Sequence, residues 1–408
     1  MMTEAAGVWG ASPSARYEAL AAPFRPIFAR IRDGAVQREI ERTLPYEPIR
    51  WLKEARFGAL RVPAEHGGPG ATWQETTALL IELAEADSNL PQALRGHFGF
   101  VDNVLYQPDS AWRRAWIQRF LDGATVGNAF TERSEAKAGT FAARVTPNGS
   151  GWVLNGEKFY STGSLLADYL DVVAVRGEDE FVTAIVPADA AGVSQFDDWD
   201  GFGQKLTASG TSRFADVHLE PDAVQPADLR FKYQTAYYQL SHLITLTGIG
   251  RAAANDVAKL VRERNRTYSH ANGRISREDP QVLQVVGQVH SLAYAAVAVA
   301  LKVADAVQRV YEAAAAGDAE AEARLNIEAE IESSQGQIVI AKLVLEATTI
   351  LFNALGASSL AQGKALDRYW RNARTVATHN PLIYKERVVG DYAVNRTEPP
   401  FLWLPGAA

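Results

Sequence analysis

Two histidines of this sequence have neighbours that suit proton transfer or hydrogen bonding at a reaction centre. His379 is followed by Asn380 and Pro381, and His97 lies in the glycine- and phenylalanine-rich run 95–100. Histidine changes charge near neutral pH, so it can donate a hydrogen bond or deliver a proton there. Each also has a structural alternative, in which His379 fixes the end of a helix before Pro381 and His97 hydrogen-bonds within a helix contact.

Hydroxyl groups and one arginine form a second set of candidates. Ser161 and Thr162 follow a strand-like segment, where hydroxyls and backbone N–H groups can hydrogen-bond a polar cofactor. Arg266 lies in the basic run 262–266, and a planar guanidinium suits a phosphate group. The alternatives are capping of a strand end for the hydroxyls and a solvated helix face for the arginine.

The composition limits the class of protein. A chain of 408 residues exceeds a single core, so two or three domains are expected. The net charge of −7 argues against a nucleic-acid-binding protein, and the lack of cysteine excludes disulfides, thiolate metal sites and a cysteine nucleophile. The remaining histidines have no metal-ligand spacing, so no metal is expected. No signal peptide or membrane-spanning run is expected either, and a cytoplasmic location is the default expectation.

Three zones with different patterns organise the chain. Residues 1–125 are predicted to be helical, and residues 75–86 have apolar side chains at helical spacing. Residues 126–228 change to strand-like alternation, with turn signals at Asn148-Gly149 and Asn155-Gly156. The spacing predicts antiparallel hairpins with strands at 169–175, 180–186 and 212–219, and a dinucleotide-binding Gly-rich fingerprint is missing.

Residues 229–408 return to helical patterns. Two long alanine-rich amphipathic runs, 280–315 and 319–355, have lengths that suit a helix bundle. Gly356 follows the second run and is predicted to be its C-cap. The fold class predicted from the three zones is α+β, with helices at both ends and an antiparallel β domain between them.

The order of these zones and several motifs resemble the acyl-CoA dehydrogenase superfamily over nearly the whole chain. The segments Val62–Gly68, Asn128–Glu132 and Gly156–Gly163 are similar to its N-terminal loop and its two flavin-contacting segments. The closer resemblance is to its reduced-flavin-dependent monooxygenases, of the dibenzothiophene monooxygenase type. Four segments carry that resemblance: Lys158–Ser164, Leu366–Thr375, His379–Lys385 and Val389–Tyr392.

The resemblance implies oxygenation rather than dehydrogenation. Acyl-CoA dehydrogenases usually carry a glutamate base where this sequence has His379-Asn380, and neither residue can act as a carboxylate base. The expected enzyme is two-component: a separate reductase supplies reduced FMN, and O2 adds to give a C4a-hydroperoxyflavin. Its distal oxygen is expected to pass to an aromatic sulfur compound, or to a nitrogen or indole-type carbon. FAD remains a possible cofactor, and a homotetramer is implied by the resemblance alone.

The resemblance also implies roles for individual residues. His97, His379 and Ser161 are expected to be catalytic, with the two histidines acting on the peroxide. Thr131, Ser161, Thr162 and Asn380 are expected to contact the flavin ring, while Arg266, Gly356 and Ala357 are expected to bind its phosphate. An aromatic substrate pocket is expected from residues near His97 and in the bundle, namely Phe98, Phe100, Tyr237 and Tyr238.

Two other classes of function stay open at this point. An acyl-CoA dehydrogenase or oxidase could have its base on another helix, near Gly248–Arg251, although that segment contains no carboxylate. A non-catalytic protein could use the fold for interaction only, although the intact flavin-facing segments count against it.

Overall fold

The computed structural model describes residue 9 and residues 13–133 and 141–402. Within the described residues from 13 onward, six α-helices precede the sheet: α1 Ala15–Ala21, α2 Arg25–Glu41, α3 Tyr46–Glu54, α4 Trp73–Ala86, α5 Asn89–Tyr106 and α6 Ala111–Leu121. Helix α4 begins with a capping box, in which the Thr72 hydroxyl and the Glu75 carboxylate each bond the other's backbone N–H. Helix α5 runs through the interior, and every residue from Asn89 to Leu105 is buried.

An eight-stranded sheet forms the middle of the described chain. The strands are β1 Val126–Ala129, β2 Arg144–Asn148, β3 Gly151–Lys158, β4 Tyr169–Arg176, β5 Glu180–Pro187, β6 Val193–Gln195, β7 Ser212–Leu219 and β8 Val224–Pro226. Their order is β6-β7-β3-β2-β4-β5-β8, and β1 pairs with β4. One face carries its own apolar core, which includes Val145, Leu154 and Phe214.

The sheet differs from the predicted hairpins at two points. Strands β1 and β2 both pair with β4 in parallel, so the sheet is mixed rather than antiparallel throughout. Asn148-Gly149 forms the predicted turn between β2 and β3, with Gly149 at φ +62°. Asn155-Gly156 is not a turn, because it lies inside β3, where the register with β7 shifts between Leu154 and Gly156. Gly156 at φ +146° accommodates this irregularity without a side-chain clash.

Five helices form the C-terminal bundle: α7 Gln234–Glu263, α8 Pro280–Ala315, α9 Ala319–Ile350, α10 Asp367–Thr378 and α11 Leu382–Asn395. Small residues allow close helix packing, as at Gly336, where a Cβ would lie 2.8 Å from both Leu243 and Val303. The prediction for Gly356 is wrong. Helix α9 ends at Ile350 and continues as a short 3-10 turn, and Gly356 has an extended φ of −106° instead of the left-handed conformation of a C-cap glycine.

Two bundle helices are apolar enough to resemble membrane spans by length and composition. The most apolar windows of Pro280–Ala315 and Ala319–Ala354 have mean hydropathies of 1.5 and 1.4. Helix α9 is packed against α7, α8 and α10, which accounts for much of its apolar surface. Only 22% of the window in α8 is buried within the chain, so this helix keeps an apolar outer face.

Glycines bring the helical and β regions together around α5. A Cβ at Gly163 would lie 2.1 Å from the carbonyl oxygen of Ala93 in α5, and one at Gly96 would lie 2.9 Å from the backbone nitrogen of Asn128. Gly163 also has φ +80°, which a larger residue adopts only with strain. The loop after β3 and the end of β1 can therefore approach the backbone of α5 directly.

Candidate active site

Arg95 of α5 lies where the helical and β regions meet. Its Nη1 is 3.2 Å from Nε2 of His379 and 3.5 Å from Nε2 of His242 on α7, and its Nη2 is 3.4 Å from Oγ1 of Thr162. These four residues are called the Arg95 cluster below. The cluster joins the segment after β3 to the end of α10, so it brings together the two regions in which the sequence places its chemistry.

The two histidines of the cluster are held in one tautomer. A guanidinium only donates hydrogen bonds, so each Nε2 that faces Arg95 must accept, and the ring proton lies on Nδ1. Nδ1 of His242 lies 3.3 Å from Gln92 Oε1, and Nδ1 of His379 lies 3.4 Å from Asn380 Oδ1; both amide oxygens are acceptors. The ring centroids are 4.2 Å apart.

Electrostatics favours the neutral form of both rings. Loss of solvation lowers the pKa of His242 well below its usual value, and the nearby His379 ring and Arg95 guanidinium further disfavour a second proton on it. The surrounding protein and the Arg95 guanidinium also lower the pKa of His379, although one side of this residue reaches solvent. At neutral pH, Arg95 is therefore the only charge within the cluster.

Asn380 is fixed by amide contacts within the bundle. Its Nδ2 donates to Gln239 Oε1 over 3.0 Å, and its backbone carbonyl accepts from Gln337 Nε2 over 2.7 Å. His379 itself ends α10, where its N–H donates to the Val376 carbonyl, and α11 begins two residues beyond Asn380. His379 therefore both ends a helix, as its structural alternative predicts, and contacts Arg95.

Buried polar atoms without partners lie on the two segments that resemble flavin-contacting segments. Ser161 is 1% exposed and its Oγ has no hydrogen-bond partner, nor has Oδ1 of Asn128 in β1. The Thr162 hydroxyl contacts Ser209 at 2.8 Å, and the Thr131 carbonyl accepts from Phe159 N–H at 2.8 Å. A buried polar atom without a hydrogen bond destabilises the fold, and the edge of an isoalloxazine ring offers donors and acceptors that could satisfy it. The residues present therefore fit a flavin.

Tyr160 is strained beside these residues. It has φ +58°, a left-handed conformation that is uncommon for a bulky residue, and its ring is 44% exposed. The ring makes edge contacts with Trp199 and Phe159, at centroid distances of 5.9 and 4.5 Å. A strained exposed aromatic next to Ser161 is consistent with a binding surface there.

His97 has no free ring nitrogen. The Nε2 atom donates to the Gly58 carbonyl over 2.9 Å, and Nδ1 accepts from the Val126 N–H over 3.3 Å. The residue is fully buried against Phe98 and Phe120, and burial lowers the pKa of His97 to about 4. This geometry favours the structural alternative, in which His97 ties α5 to the loop before α4 and to β1.

The expected aromatic pocket is mostly protein core. Phe98 packs edge-on against Phe57, and Phe100 packs against Trp116. Tyr237 is also buried, and its hydroxyl donates to the carbonyl of Arg95 over 2.5 Å. The side chains that meet at the Arg95 cluster are instead mostly polar.

The proposed phosphate-binding residues form a separate group at another part of the bundle. A Cβ at Gly356 would lie 2.7 Å from the Tyr268 hydroxyl and 2.8 Å from Nη2 of Arg264, so the loop that contains Arg266 packs against the Gly356 segment. The Arg266 carbonyl accepts from Ser276 Oγ over 2.9 Å, which fixes the loop backbone. The flavin-phosphate role of Arg266, Gly356 and Ala357 stays a prediction.

The segment Gly248–Arg251 does not offer a relocated base. Arg251 is fully buried and its Nε donates to Oε2 of Glu85 over 2.7 Å, while Arg32 and Asn255 donate to the other oxygen of that carboxylate. A carboxylate held by three donors is poorly suited to remove a proton. Among the described residues, no group of three or more His, Asp or Glu side chains could hold a metal ion.

Comparisons with known proteins agree with this architecture. Family models for the N-terminal, middle and C-terminal domains of acyl-CoA dehydrogenase match residues 18–124, 129–217 and 240–382. The chain therefore belongs to the acyl-CoA dehydrogenase family, and the predicted α+β fold class is confirmed.

Within that family, the similar proteins named here are monooxygenases. The dibenzothiophene monooxygenase of Rhodococcus erythropolis is 27% identical over 372 residues, which cover 87% of each chain. TdsC of Paenibacillus sp. A11-2, solved with FMN and indole, is 26% identical with a TM-score of 0.83, covering 95% of this chain and 98% of that one. The methanesulfinate monooxygenase MsuC of Pseudomonas fluorescens is 25% identical with a TM-score of 0.82, covering 96% and 99%.

Two members of the Arg95 cluster were missed from the sequence. His97 is the more evident candidate in this run, but residues two apart point to different sides of a helix, so Arg95 and His97 cannot share an environment. Arg95 was visible in the sequence as the one basic residue besides His97 in a helix whose only acidic residue is Asp102. His242 gave no comparable signal, since one histidine in a long helix has no local pattern that marks it.

Proposed function

We propose that this protein is a two-component monooxygenase that uses reduced FMN and O2 to oxygenate a small aromatic substrate at sulfur, or at an indole-type position. One observation carries the proposal: His379-Asn380 stands where a dehydrogenase has its base, and Arg95 connects His379 to Thr162. In the described part of the chain, no carboxylate contacts Arg95, His242, His379 or Asn380. An acyl-CoA dehydrogenase needs such a base, and an oxygenase does not.

The similar monooxygenases support this activity and the choice of FMN. TdsC was solved with FMN and indole, and a relative from Pseudomonas putida is named a probable FMNH2-dependent monooxygenase. Reduced FMN supplies the electrons and the position at which O2 is activated. The chain's own residues have other tasks: Ser161 and Asn128 offer unsatisfied polar atoms to the ring, and His379 holds a hydrogen-bonding nitrogen beside Arg95.

We propose further that the protein is a cytoplasmic homotetramer supplied by a separate flavin reductase. The apolar outer face of α8 supports subunit assembly, because monomeric proteins rarely expose large contiguous apolar surfaces. Within such an assembly, we propose that Arg266 of one subunit binds the flavin phosphate of another, as the family resemblance implies. The lack of a dinucleotide-binding fingerprint in the sequence supports a separate reductase.

The test is a comparison of two reactions. Chemically reduced FMN is mixed with the protein, air-saturated buffer and either indole or dibenzothiophene, and the oxygenated product is quantified. A parallel assay measures reduction of an electron-accepting dye with a series of acyl-CoA thioesters. The proposal expects oxygenated product and no thioester-dependent dye reduction, and robust dye reduction would contradict it.

A further inference from the structure

Arg95 differs from the other deeply buried arginines that the structure describes. Arg61 lies 3.1 Å from Asp102, Arg230 lies 2.8 Å from Asp171, and Arg251 lies 2.7 Å from Glu85. Each of these cations is neutralised by a carboxylate, as burial of a charge requires. Arg95 is only 7% exposed, and no carboxylate lies within ion-pair distance of it among the described residues.

All polar contacts of the Arg95 side chain are to uncharged groups. The two histidines accept from Nη1 and the Thr162 hydroxyl contacts Nη2, whereas Nε is buried without a partner. Desolvation lowers the pKa of Arg95, and nearby tyrosines only partly offset this. A guanidinium still remains protonated, so its positive charge is not compensated.

A second unpartnered donor belongs to the same region. Gln239 accepts from Asn380 through Oε1, which leaves its buried Nε2 without a hydrogen-bond partner. Arg95 Nε and Gln239 Nε2 are thus unused donors on the two side chains that contact His379 and Asn380. Surplus buried donors with one uncompensated positive charge suit a ligand that brings acceptor oxygens and a negative charge.

The position of Arg95 restricts what that ligand is. Arg95 lies between Thr162, which is expected to contact the flavin ring, and His379, which is expected to act at the reacting centre. The flavin phosphate has its own candidate residues at Arg266 and Gly356. An anion at Arg95 would therefore belong to the molecule that is oxygenated.

We propose that Arg95 binds an oxyanion of the substrate, a sulfinate or a carboxylate, so that aromatic substrates with an acidic group bind more tightly than the neutral heterocycles that serve as test substrates for the proposed function. That the anion is part of a substrate depends on the proposed function. The anion site itself can be measured without flavin, oxygen or turnover. Planar guanidinium groups match the two oxygens of such anions through paired hydrogen bonds.

The experiment measures binding to the flavin-free protein by calorimetric titration. The probes are benzenesulfinate and benzoate, with methyl phenyl sulfone as an uncharged partner of similar size. The wild-type protein is expected to bind at least one anion about a hundredfold more tightly than the sulfone, in the range for hydrogen bonds to a charged group. The two anions distinguish a sulfinate site from a carboxylate site.

Variants assign the preference to Arg95. Arg95→Gln should lose the hundredfold preference, Arg95→Lys should keep part of it, and Arg374→Gln should match the wild type. Arg374 is exposed on α10, so its replacement removes one positive charge nearby without touching the cluster. Without ligand, Arg95→Gln should melt at the same or a higher temperature than the wild type, because a buried charge without a counter-ion is removed.

Three outcomes would overturn the inference, and a fourth would reject the proposed function alone. Equal binding of anions by the wild type and Arg95→Gln would show that the guanidinium is not the anion site. Weaker FMN binding in Arg95→Gln with an unchanged anion preference would assign the charge to the flavin. If Arg95→Gln does not fold, an Arg95→Lys protein without anion preference overturns it instead. Arg95-dependent anion binding in a protein that fails to oxygenate any probe would leave this inference standing and reject only the proposed function.

Discussion

At the scale of single residues, the two histidines singled out in the sequence now have different expected roles. Both ring nitrogens of His379 contact side chains, Arg95 and Asn380, and the residue is open to solvent on one side. Both ring nitrogens of His97 are instead bound by backbone groups in the protein core. A histidine can act on a reacting group only if one ring nitrogen can reach it. Variants of the two residues should therefore fail in different ways.

His379→Ala is expected to fold and bind FMN but to lose oxygen transfer. Product formation should fall by about a hundredfold, the usual effect of removing a positioned acid–base or electrostatic group. The reduced flavin should still be oxidised, with hydrogen peroxide released in place of product. The measurement is the ratio of product to peroxide, with His218→Ala on the exposed face of β7 as the control. Wild-type coupling in His379→Ala would make this residue structural.

His97→Ala is expected to destabilise the fold by about 3 kcal/mol, because the Gly58 carbonyl and the Val126 N–H both lose a buried partner. The folded variant should retain its ratio of product to peroxide. Denaturant midpoints and product assays on the same preparation separate the two effects. A variant with normal stability and lost coupling would restore the catalytic prediction for His97.

The acid sensitivity of His97 gives a second readout. Its folded-state pKa of about 4 lies below the unfolded value, so the unfolded state binds the proton first as the pH falls. Its contribution to stability is complete above pH 7 and declines as the pH falls from about 6.5 toward 4. Between pH 7 and pH 5, the wild-type protein should therefore lose about 2 kcal/mol of unfolding free energy through His97, and His97→Ala should lack this loss.

Arg266→Ala should weaken FMN binding by about 2 kcal/mol if the guanidinium pairs with the flavin phosphate. Fold stability should change little, because the loop is held by the backbone contact from Ser276 rather than by the arginine side chain. Fluorescence titration of FMN measures the effect, and Arg324→Ala, on the exposed face of α9, is the control. Unchanged affinity would assign Arg266 to a solvated surface.

At the scale of secondary-structure elements, the contact between α5 and the loop after β3 positions the site. Gly163→Ala should displace Thr162, since the added Cβ would lie 2.1 Å from the Ala93 carbonyl oxygen and the residue has φ +80°. We expect loss of FMN binding together with lower stability. Gly177→Ala is the matched control, because Gly177 has φ +64° but no atom within 4 Å of the added Cβ. That control should cost only about 1 kcal/mol of backbone strain and retain FMN binding.

At the scale of the whole molecule, α8 is expected to bury its outer face between subunits. Leu283 and Tyr294 are 48% and 52% exposed within one chain. Replacing both with glutamate should dissociate the assembly, since two charges would be desolvated in an apolar interface. Light scattering after size-exclusion chromatography gives the mass. Tyr46→Glu, on the exposed side of α3, should keep the wild-type mass. A wild-type protein that is monomeric would reject both the tetramer and a phosphate site shared between subunits.

The sequence alone determined the features that depend on local pattern. Helical and strand periodicities predicted α4, β4, β5, β7 and the long helix α8, and the motifs identified the family. Asn148-Gly149 was a correct turn signal because a turn is a local structure. The same dipeptide type at Asn155-Gly156 failed, because pairing of β3 with β7 overrode the local preference.

Only the tertiary structure decided which side chains meet. Helix α5 is buried on all sides, so no amphipathic pattern indicates which of its residues face the site. The choice between His97 and Arg95 therefore depended on contacts with Gly58, Thr162 and His379, which are distant in sequence. The neutrality of His242 and His379 and the uncompensated charge of Arg95 likewise follow from groups that three separate regions of the chain bring together, because burial and charge pairing exist only after the chain has folded.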